Sequence, residues 1–259
     1  MSCWIGVRWR MSRRIAVVTS SRADYGFIKP VLRQILARPS LALDLLVTGS
    51  HLAEEGGTVE EIVSDRFEIR ARVPLGPPVR SPVDMAQAIG RGVDGFAQWF
   101  ARHRSDLLVV IADRYEMFAA AVAGVASGLI VAHISGGDLT EGVVDDAFRH
   151  ALTKLCHLHF PSHDLSAARI RQMGEEPWRI HIVGEPSLDA LATTAWLSEV
   201  ELAQRLGVAP GEWEPPVVVT LHPVTLRPDH VDQQVTNLTA ALEDCPHLIV
   251  MPAANGDPG

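Results

Sequence analysis

The sequence predicts an α/β fold, in which a doubly wound parallel sheet is covered by helices on both faces. Three observations support this class. The 259 residues are 47% hydrophobic, which is enough for a sizeable core. Apolar runs of strand length recur along the chain, and segments with helical spacing separate most of them. Because each crossover between parallel strands lays a helix over the sheet, this alternation is typical of a parallel sheet.

Each element follows from its local pattern. The predicted strands of the main sheet are 14–19, 41–49, 106–112, 129–134, 157–162 and 180–184. The predicted helices between them are 26–37, 57–65, 83–102, 115–127, 145–156 and 164–173. The uncharged stretch 117–134 is interpreted as a buried helix followed by a buried strand, and not as a membrane span, because it is rich in Ala and Gly and broken at 127–128.

The chain is predicted to divide into an extension, two domains and a linker. The boundaries are 1–12 for the extension, 13–185 for the N-terminal domain, 186–216 for a helical linker and 217–259 for the start of a second domain. That last unit contains predicted strands at 217–223 and 247–252 around a helix at 229–243. Two strands and one helix bury too little apolar surface to be stable alone. We therefore expect the second domain to be incomplete and the sequence to be cut short.

Composition excludes several classes of partner. The net charge of −8 and the pI near 5.7 argue against a nucleic acid or an anionic membrane surface. The three cysteines, Cys3, Cys156 and Cys245, are far apart, which suits reduced thiols better than disulfides. The first residues lack the apolar region of a signal peptide. We expect a cytoplasmic protein.

Four loops that follow predicted strands are rich in polar residues. They carry Arg22, Asp24 and Tyr25; Ser50 and His51; Asp113, Arg114 and Glu116; and the run "HISGGDLTEGVVDDAFRH" at 133–150. Because ligands bind at the carboxyl ends of parallel strands, these loops predict a site on one rim of the sheet. For any single loop, a capped helix start remains the alternative.

The last of these loops combines glycines with carboxylates. Gly136 and Gly137 permit close backbone approach to a ligand. The following residues are predicted to crowd carboxylates around His133: Asp138, Glu141, Asp145 and Asp146. Neighbouring carboxylates raise one another's pKa, so one of them could serve as acid or base. An ion pair between Asp145 and Arg149, four residues apart on a helix, is the competing interpretation.

No cofactor or metal is expected. The glycines do not form a GxGxxG pattern, so nothing supports a dinucleotide. A second cluster has the composition of a metal site: Cys156, His157, His159 and His163. Its spacing fits no common zinc pattern, and core or capping histidines are the favoured interpretation.

Six groups of motifs, in order, resemble a known family. They are "SSRADYG", "TGSHL" with "EEGGTVEEI", "ADRYEMFAAAVA", "AHISGGDLTEGVVDDAFRHALTKLCHLHF", "VGEPSLD" and "LHPVT". From about residue 13 to its end, the chain resembles the hydrolysing UDP-N-acetylglucosamine 2-epimerases of sialic-acid and related nonulosonic-acid biosynthesis. The first loop separates it from the non-hydrolysing enzymes, whose loop reads more like "GTRPE".

The resemblance implies a fold and a reaction. The fold would be two Rossmann-like domains in a GT-B-like arrangement, with the first loop in the cleft between them. The reaction would convert UDP-N-acetylglucosamine and water to N-acetylmannosamine and UDP, through elimination to a glycal and hydration with inversion at C2. The implied partner is a UDP-sugar, and the full-length protein would be a homo-oligomer.

The loops and the resemblance together give the candidate site. The candidate catalytic residues are Asp24, His51, Asp113, Asp138, Glu141, Asp145 and Arg149. The candidate substrate-binding residues are Arg22, Arg114, His133, Gly136, Gly137 and His222. Within the resemblance, Arg22 would grip a phosphate and Asp24 would face the sugar. Some family members have glutamate where this chain has Ser135, so Asp138 or Glu141 is expected to supply that acid.

The end of the sequence and the identity of the sugar leave alternatives open. Family members continue beyond the segment that corresponds to "MPAANGDPG" into a "GNSSxG" loop, which this sequence lacks. An inactive sugar-nucleotide-binding remnant is therefore one alternative. A GT-B-like glycosyltransferase is another, although fold alone would not reproduce the motif order. The sugar could be N-acetylglucosamine or a diacetamido-trideoxy relative.

Overall fold

The main feature of the fold is a six-stranded, all-parallel sheet. A computed structural model describes residues 12–53, 57–209, 214–222, 224, 226 and 228–251. The strands are β1 (Arg13–Thr19), β2 (Leu41–Thr48), β3 (Ile69–Val73), β4 (Leu107–Ile111), β5 (Ile130–Ile134) and β6 (Leu158–Phe160). Their order is β3-β2-β1-β4-β5-β6, with β1 paired to both β2 and β4. The strand order therefore reverses between β1 and β4, where doubly wound sheets open a crevice.

Helices follow the strands and cover the sheet. They are α1 (Arg22–Leu36), α2 (Val59–Ser64), α3 (Pro82–Arg102), α4 (Tyr115–Ala126), α5 (Asp145–Leu155), α6 (Asp164–Gln172), α7 (Pro186–Thr193), α8 (Glu199–Leu206) and α9 (Val231–Leu242). A second sheet pairs β7 (Val217–Val218) with β8 (Ile249–Val250), also in parallel.

The core lies where the apolar runs predict it. Strands β1, β2, β4 and β5 are buried from their middle residues to their carboxyl ends. The alanine-rich face of α4 packs closely on β4, since a Cβ added at Gly124 would lie 2.6 Å from Leu108 Cδ2. Met117 to Ile134 is thus a buried helix and a strand, as expected. Among the described helices, none is long and apolar enough to cross a membrane.

The parallel α/β sheet is confirmed, with two corrections to its strands. Strand β3 was not predicted, because its apolar residues alternate with Arg70 and Arg72 and do not form a run. The predicted strand 180–184 is wrong, since this segment makes one isolated bridge, between Ile180 and His159, and no strand. Its position beside β6 nevertheless carries the chain toward the carboxyl edge of the sheet, because Val183 N donates to Pro161 O at 3.1 Å.

Some expectations fall outside the described residues. The extension, apart from residue 12, and residues 252–259 of the "MPAANGDPG" segment belong to this group. The domain boundaries at 185 and 216 stay predictions, although the segment between them contains α7 and α8 as a helical linker would.

Candidate functional site

Four loops leave one edge of the sheet next to the reversal in strand order. Thr19 pairs with Val47 at the ends of β1 and β2, and Ile111 pairs with Ile134 at the ends of β4 and β5. His51 N donates to Ser20 O at 3.1 Å, which ties the first two loops together. The loops after β1, β2, β4 and β5 therefore form one rim, as in ligand-binding doubly wound sheets.

In the loop after β1, Asp24 is turned back toward its own backbone. Its buried carboxylate accepts hydrogen bonds from the Thr19 hydroxyl, from Ser20 N at 3.0 and 3.1 Å, from Ser20 Oγ at 2.6 Å and from Ser21 Oγ at 2.8 Å. Ser21 is the N-cap of α1 and accepts from Asp24 N in return. Asp24 was expected to face a sugar, but its oxygens bind the turn that begins α1.

The neighbours of Asp24 point in different directions. Arg22 is exposed in the first turn of α1, and its guanidinium has no hydrogen-bond or ion-pair partner within the part of the chain that the structure describes. Tyr25 is fully buried and donates to Asp65 at 2.7 Å; Asp65 also pairs with Lys29 at 2.5 Å. Arg22 is thus available to an anion, whereas Tyr25 ties α1 to the end of α2.

His51 closes this side of the rim. Its Nε2 lies 3.0 Å from Thr19 Oγ1 and its Nδ1 lies 2.5 Å from Thr58 Oγ1. Because the Thr19 hydroxyl donates to Asp24, its oxygen accepts from His51 Nε2–H, which leaves Nδ1 to accept from Thr58. Burial lowers the pKa of His51, against the opposing field of Asp24, so the ring is neutral. We call Thr19, Ser20, Ser21, Asp24 and His51 the Asp24 network.

A buried acid follows β4. Glu116, in the first turn of α4, is fully buried and is bound by Arg114 through Nε–Oε2 at 3.2 Å and Nη2–Oε1 at 3.1 Å. Burial raises the pKa of Glu116, and Arg114 opposes the shift. A Cβ at Gly49 would lie 2.8 Å from Glu116 Oε1, so the acid also packs on the loop after β2. Glu116 is not among the candidate catalytic or substrate-binding residues taken from the sequence. The feature that could have identified it is a charged residue in the first turn of an otherwise apolar helix.

Two candidate catalytic residues meet across the rim. The Arg149 guanidinium on α5 forms an ion pair with Asp113 at the end of β4, donates to Thr140 Oγ1 at 2.9 Å and lies 3.8 Å from Asp146 Oδ1. Asp145, half-buried, begins α5. Arg149 thus contacts the loop after β4, 36 residues away in sequence, as well as the loop after β5, and is more than an intrahelical partner. We call Asp113, Thr140, Asp146 and Arg149 the Arg149 group.

His133 lies beneath the glycine loop, apart from the carboxylates. Its Nε2 donates to Ala112 O at 2.6 Å, and its buried Nδ1 has no partner among the described residues. A Cβ at Gly136 would lie 2.7 Å from that Nδ1, so the loop covers the ring closely. Burial lowers the pKa of His133 to about 4. The expectation that carboxylates crowd around His133 is wrong, because the charges that act on it are those of His159 and Arg149.

The remaining carboxylates of this loop have other surroundings. Asp138 accepts from the buried Ser166 hydroxyl on α6 and lies 3.2 Å from His163 Nε2. Gly137, with φ at +85°, packs against Ser166 O, and its own carbonyl accepts from Arg169. Glu141 is exposed. Asp138 therefore fastens the glycine loop to α6.

The acid beside Ser135 comes from a different part of the chain. Ser135 Oγ lies 3.3 and 3.5 Å from the two carboxylate oxygens of Glu185, the residue before α7. Among the described residues, neither Asp138 nor Glu141 is hydrogen-bonded to Ser135, and the role expected of them stays a prediction. Burial raises the pKa of Glu185, and the charge of Asp138 raises it further. Glu185 belongs to the family motif "VGEPSLD", but the residues of that motif did not predict a contact with Ser135.

Backbone strain marks the same place. Ala112 and Ser135, which follow the paired strand ends of β4 and β5, have φ of +60° and +58°. Residues other than glycine rarely adopt this conformation, and it costs about 1–3 kcal/mol at each position. Side by side, the two strained residues turn both loops at the point where Asp113 and Ser135 reach the rim.

The other candidates lie away from this cluster. His222 is exposed, with Nε2 3.3 Å from Thr220 Oγ1. Its segment returns to the rim, because Leu226 N donates to Gly142 O at 3.1 Å. In the histidine-rich stretch, Cys156 is buried and its pKa is raised by burial, while His159 Nε2 lies 3.2 Å from Glu175. No three such side chains among the described residues converge to hold a metal ion.

A cavity of about 370 Å³ opens beside the loop after β2. It is lined by His51, Leu52, Ala53, Gly57, Val59, Glu60 and Arg72. It lies on the far side of the Asp24 network from the Arg149 group. At β4 and β5, Asp113 is paired with Arg149, and Glu185, whose pKa is raised, lies beside Ser135.

Comparison with known proteins identifies relatives. A sequence profile of the family described as UDP-N-acetylglucosamine 2-epimerase matches residues 33–259. The chain is 34% identical, over 250 residues, to the UDP-N,N'-diacetylbacillosamine 2-epimerase (hydrolyzing) of Legionella pneumophila, covering 96% of this chain and 66% of that protein. It is 32% identical to the UDP-N-acetylglucosamine 2-epimerase of Neisseria meningitidis, covering 95% of this chain and 64% of that one. The chain thus spans slightly less than two thirds of both relatives.

A solved structure shows the same fold. The UDP-GlcNAc 2-epimerase of Methanocaldococcus jannaschii, in complex with UDP-GlcNAc and UDP, superposes with a TM-score of 0.76. The match covers 94% of this chain and 66% of the other, at 15% identity. At that identity the match supports the GT-B-like fold alone.

Proposed function

The chain belongs to the UDP-N-acetylglucosamine 2-epimerase family. On that premise we propose that the protein is a hydrolysing 2-epimerase. Its substrate would be a UDP-linked 2-acetamido sugar, either UDP-N-acetylglucosamine or a UDP-diacetamido-trideoxy sugar. Its products would be UDP and the free sugar with inverted configuration at C2. The observation that carries this proposal is the Asp113–Arg149 pair on the rim beside the reversal in strand order.

The first half of the reaction is an elimination. A base removes the proton at C2, the C1–C2 double bond forms, and the electron pair of the C1–O bond leaves with the diphosphate. In the proposal, the carboxylates of Asp113 and Asp145 are the candidate bases. Arg149 and the exposed Arg22 would stabilise the charge that develops on the departing diphosphate. Arg22 suits this role because its guanidinium has no partner within the described residues.

The second half is a hydration. Water oxygen bonds to C1 and gives a proton to a carboxylate, while C2 receives a proton on the face opposite to the one it lost. The site thus needs carboxyl groups in both protonation states at one pH. The partly buried Asp113, paired with Arg149, and the raised pKa of Glu185 are consistent with this need.

We further propose a cytoplasmic homo-oligomer in which a second Rossmann-like domain completes the nucleotide pocket, with His222 on that side of the cleft. The contact of Leu226 with Gly142 supports this, since it brings the segment after β7 to the glycine loop. No cofactor enters the proposed chemistry, because each step is a proton transfer or a heterolytic bond change.

The test uses the 259-residue chain and, beside it, the product of the whole reading frame that encodes it. Each is incubated in D₂O with UDP-N-acetylglucosamine and with a UDP-2,4-diacetamido-2,4,6-trideoxy sugar. From the product of the whole reading frame we expect UDP release and a free sugar that carries one deuterium at C2, detected by NMR. The preferred sugar identifies the substrate.

Other outcomes distinguish the alternatives. Calorimetric UDP binding without release from either sugar would indicate an inactive sugar-nucleotide-binding protein. Release of UDP only when an acceptor is added, with no deuterium at C2, would indicate a glycosyltransferase. Release without deuterium and without an acceptor would contradict the elimination step.

A further inference from the structure

The feature that carries a further inference is the Ser135–Glu185 pair. Glu185 lies at the end of segment 180–184, which runs beside β6 toward the carboxyl edge of the sheet. Gly184, with φ at +79°, turns the chain there, and Pro186 begins α7 immediately afterwards. The backbone thus fixes Glu185 between a glycine turn and a proline-initiated helix that packs against α1.

Glu185 differs from the other acids of the rim in what binds it. Asp24 accepts several hydrogen bonds from its loop, Asp113 is paired with Arg149, and Glu116 is fully buried under Arg114. Within the described residues, Glu185 has no ion-pair partner, and Ser135 is the side chain that meets its carboxyl group. It is also only partly buried, so a bound molecule can reach it.

The charges around Glu185 favour a proton on it. Asp138, on the loop after β5, is the charged neighbour that acts on it, and the two negative charges repel. On its own helix the next titratable group, Asp189, is exposed. On α1, which packs against α7, Lys29 and Arg33 are engaged by Asp65. No cation described here offsets the cost of burying the ionised carboxylate, so the neutral acid persists to higher pH.

We propose that Glu185 is the acid that protonates C2 in the hydration step, with Ser135 holding its carboxyl group in place. This inference rests on the proposed function and assigns a residue to one of its steps. The carboxyl O–H bond breaks and its proton forms the new C2–H bond with the electron pair of the C1–C2 double bond. Water oxygen bonds to the electron-deficient C1 and loses a proton to a carboxylate such as Asp113. Glu185 then regains a proton from solvent.

The test compares Glu185→Gln with wild type in the protein from the whole reading frame. Glutamine keeps the size and one hydrogen bond to Ser135 but cannot transfer a proton. We expect release of hydrated sugar to fall about 10²-fold, with UDP release reduced less, so that the unsaturated sugar accumulates. In wild type the two products form in a 1:1 ratio. Proton NMR of the vinyl signal measures the difference. Glu176→Gln, at an exposed acid paired with Arg179, is the matched control and should behave as wild type.

A pH profile separates proton transfer from a structural role. Turnover should fall on the basic side as Glu185 ionises, and this limb should be absent in Glu185→Gln. Ser135→Ala removes a hydrogen bond that stabilises the ionised form, so the limb should move to higher pH. A purely structural role would change activity equally at every pH.

Two results would overturn the assignment without touching the proposed function: a 1:1 product ratio with near-normal rate in Glu185→Gln, or a ¹³C-detected titration of Glu185 at the ordinary glutamate pKa. Absence of turnover in wild type would instead contradict the proposed function, and this inference with it. The titration is measured on the 259-residue chain as well, and it requires no activity.

Discussion

The loops after β1 and β2 leave the sheet at the same edge as the loops after β4 and β5, yet they use similar side chains differently. In the Asp24 network, hydroxyls, a backbone amide and a neutral histidine satisfy one another, and the carboxylate is buried. In the Arg149 group, the ion pair with Asp113 is partly exposed, and Glu185 on the neighbouring loop is not neutralised. The comparison teaches that an acid on a ligand-binding rim is informative only once its partners are known.

The largest expected effect is on the β4–β5 side. Asp113→Asn should lower turnover by about 10²–10⁴-fold, because a carboxylate proposed to move protons is replaced by an amide. Asp145→Asn is expected to act in the same direction. The measurement is UDP release under saturating UDP-sugar, with circular dichroism as the control for folding. Asp94→Asn, on the exposed face of α3, is the matched substitution elsewhere. Near-normal turnover would remove the substituted residue from the site.

The next effect concerns pH. The pKa of His133 falls from its ordinary value near 6.5 to about 4, so the unfolded state binds the proton first as pH drops. Stability contributed by the neutral ring is complete above about pH 6.5 and is lost toward pH 4, by about 3 kcal/mol. Glu116 and Glu185 act oppositely, since a raised pKa removes stability as pH rises above the ordinary glutamate value.

Because these trends overlap, the readout for His133 must resolve single residues. In ¹⁵N-histidine-labelled protein, NMR should show His133 neutral and protonated at Nε2 at pH 5, when exposed histidines are charged. Denaturant unfolding across pH 4–7 then gives the summed dependence. A doubly protonated His133 at pH 6 would contradict the buried, unpartnered Nδ1.

A matched pair of substitutions tests whether the Asp24 network is a structural element. Asp24 and Asp84 occupy the same place in two helix starts, three residues after a capping serine, but Asp24 is buried and Asp84 is only partly buried. Asp24→Asn should cost about 2 kcal/mol of unfolding free energy, because an amide group then faces hydroxyl and N–H donors. Asp84→Asn should cost about 0.5 kcal/mol. Equal costs in urea unfolding would show that burial of Asp24 adds nothing.

A smaller effect than at Asp24 is expected at Tyr25. Tyr25→Phe removes the hydroxyl that donates to Asp65 and keeps the ring that packs edge-on against His51. We expect a loss of about 1 kcal/mol in thermal or urea unfolding, with turnover unchanged, since the bond lies behind the rim. A fall in turnover with normal stability would place Tyr25 in the site.

Much of the fold could be predicted from the sequence, and less of the site. The buried strands read as apolar runs because both faces are covered, whereas β3 was missed because Arg70 and Arg72 interrupt its pattern. The rim followed from the order of strands and loops. The partners did not follow, because Arg149 meets Asp113 from 36 residues away and Glu185 meets Ser135 from 50 residues away. The local spacing of residues along the sequence does not predict such contacts.

The place of β1 in the sheet also sets the order of events during synthesis. One neighbour of β1 is β2, which follows it closely in the sequence, but its other neighbour is β4, and Arg14 N donates to Asp106 across 92 residues. At roughly 5–20 residues per second, the ribosome needs roughly 5–18 s to add them. During that interval the strand that pairs with this edge of β1 has not yet been made. The Asp24 network can form early, whereas the crevice exists only after Asp113 has emerged.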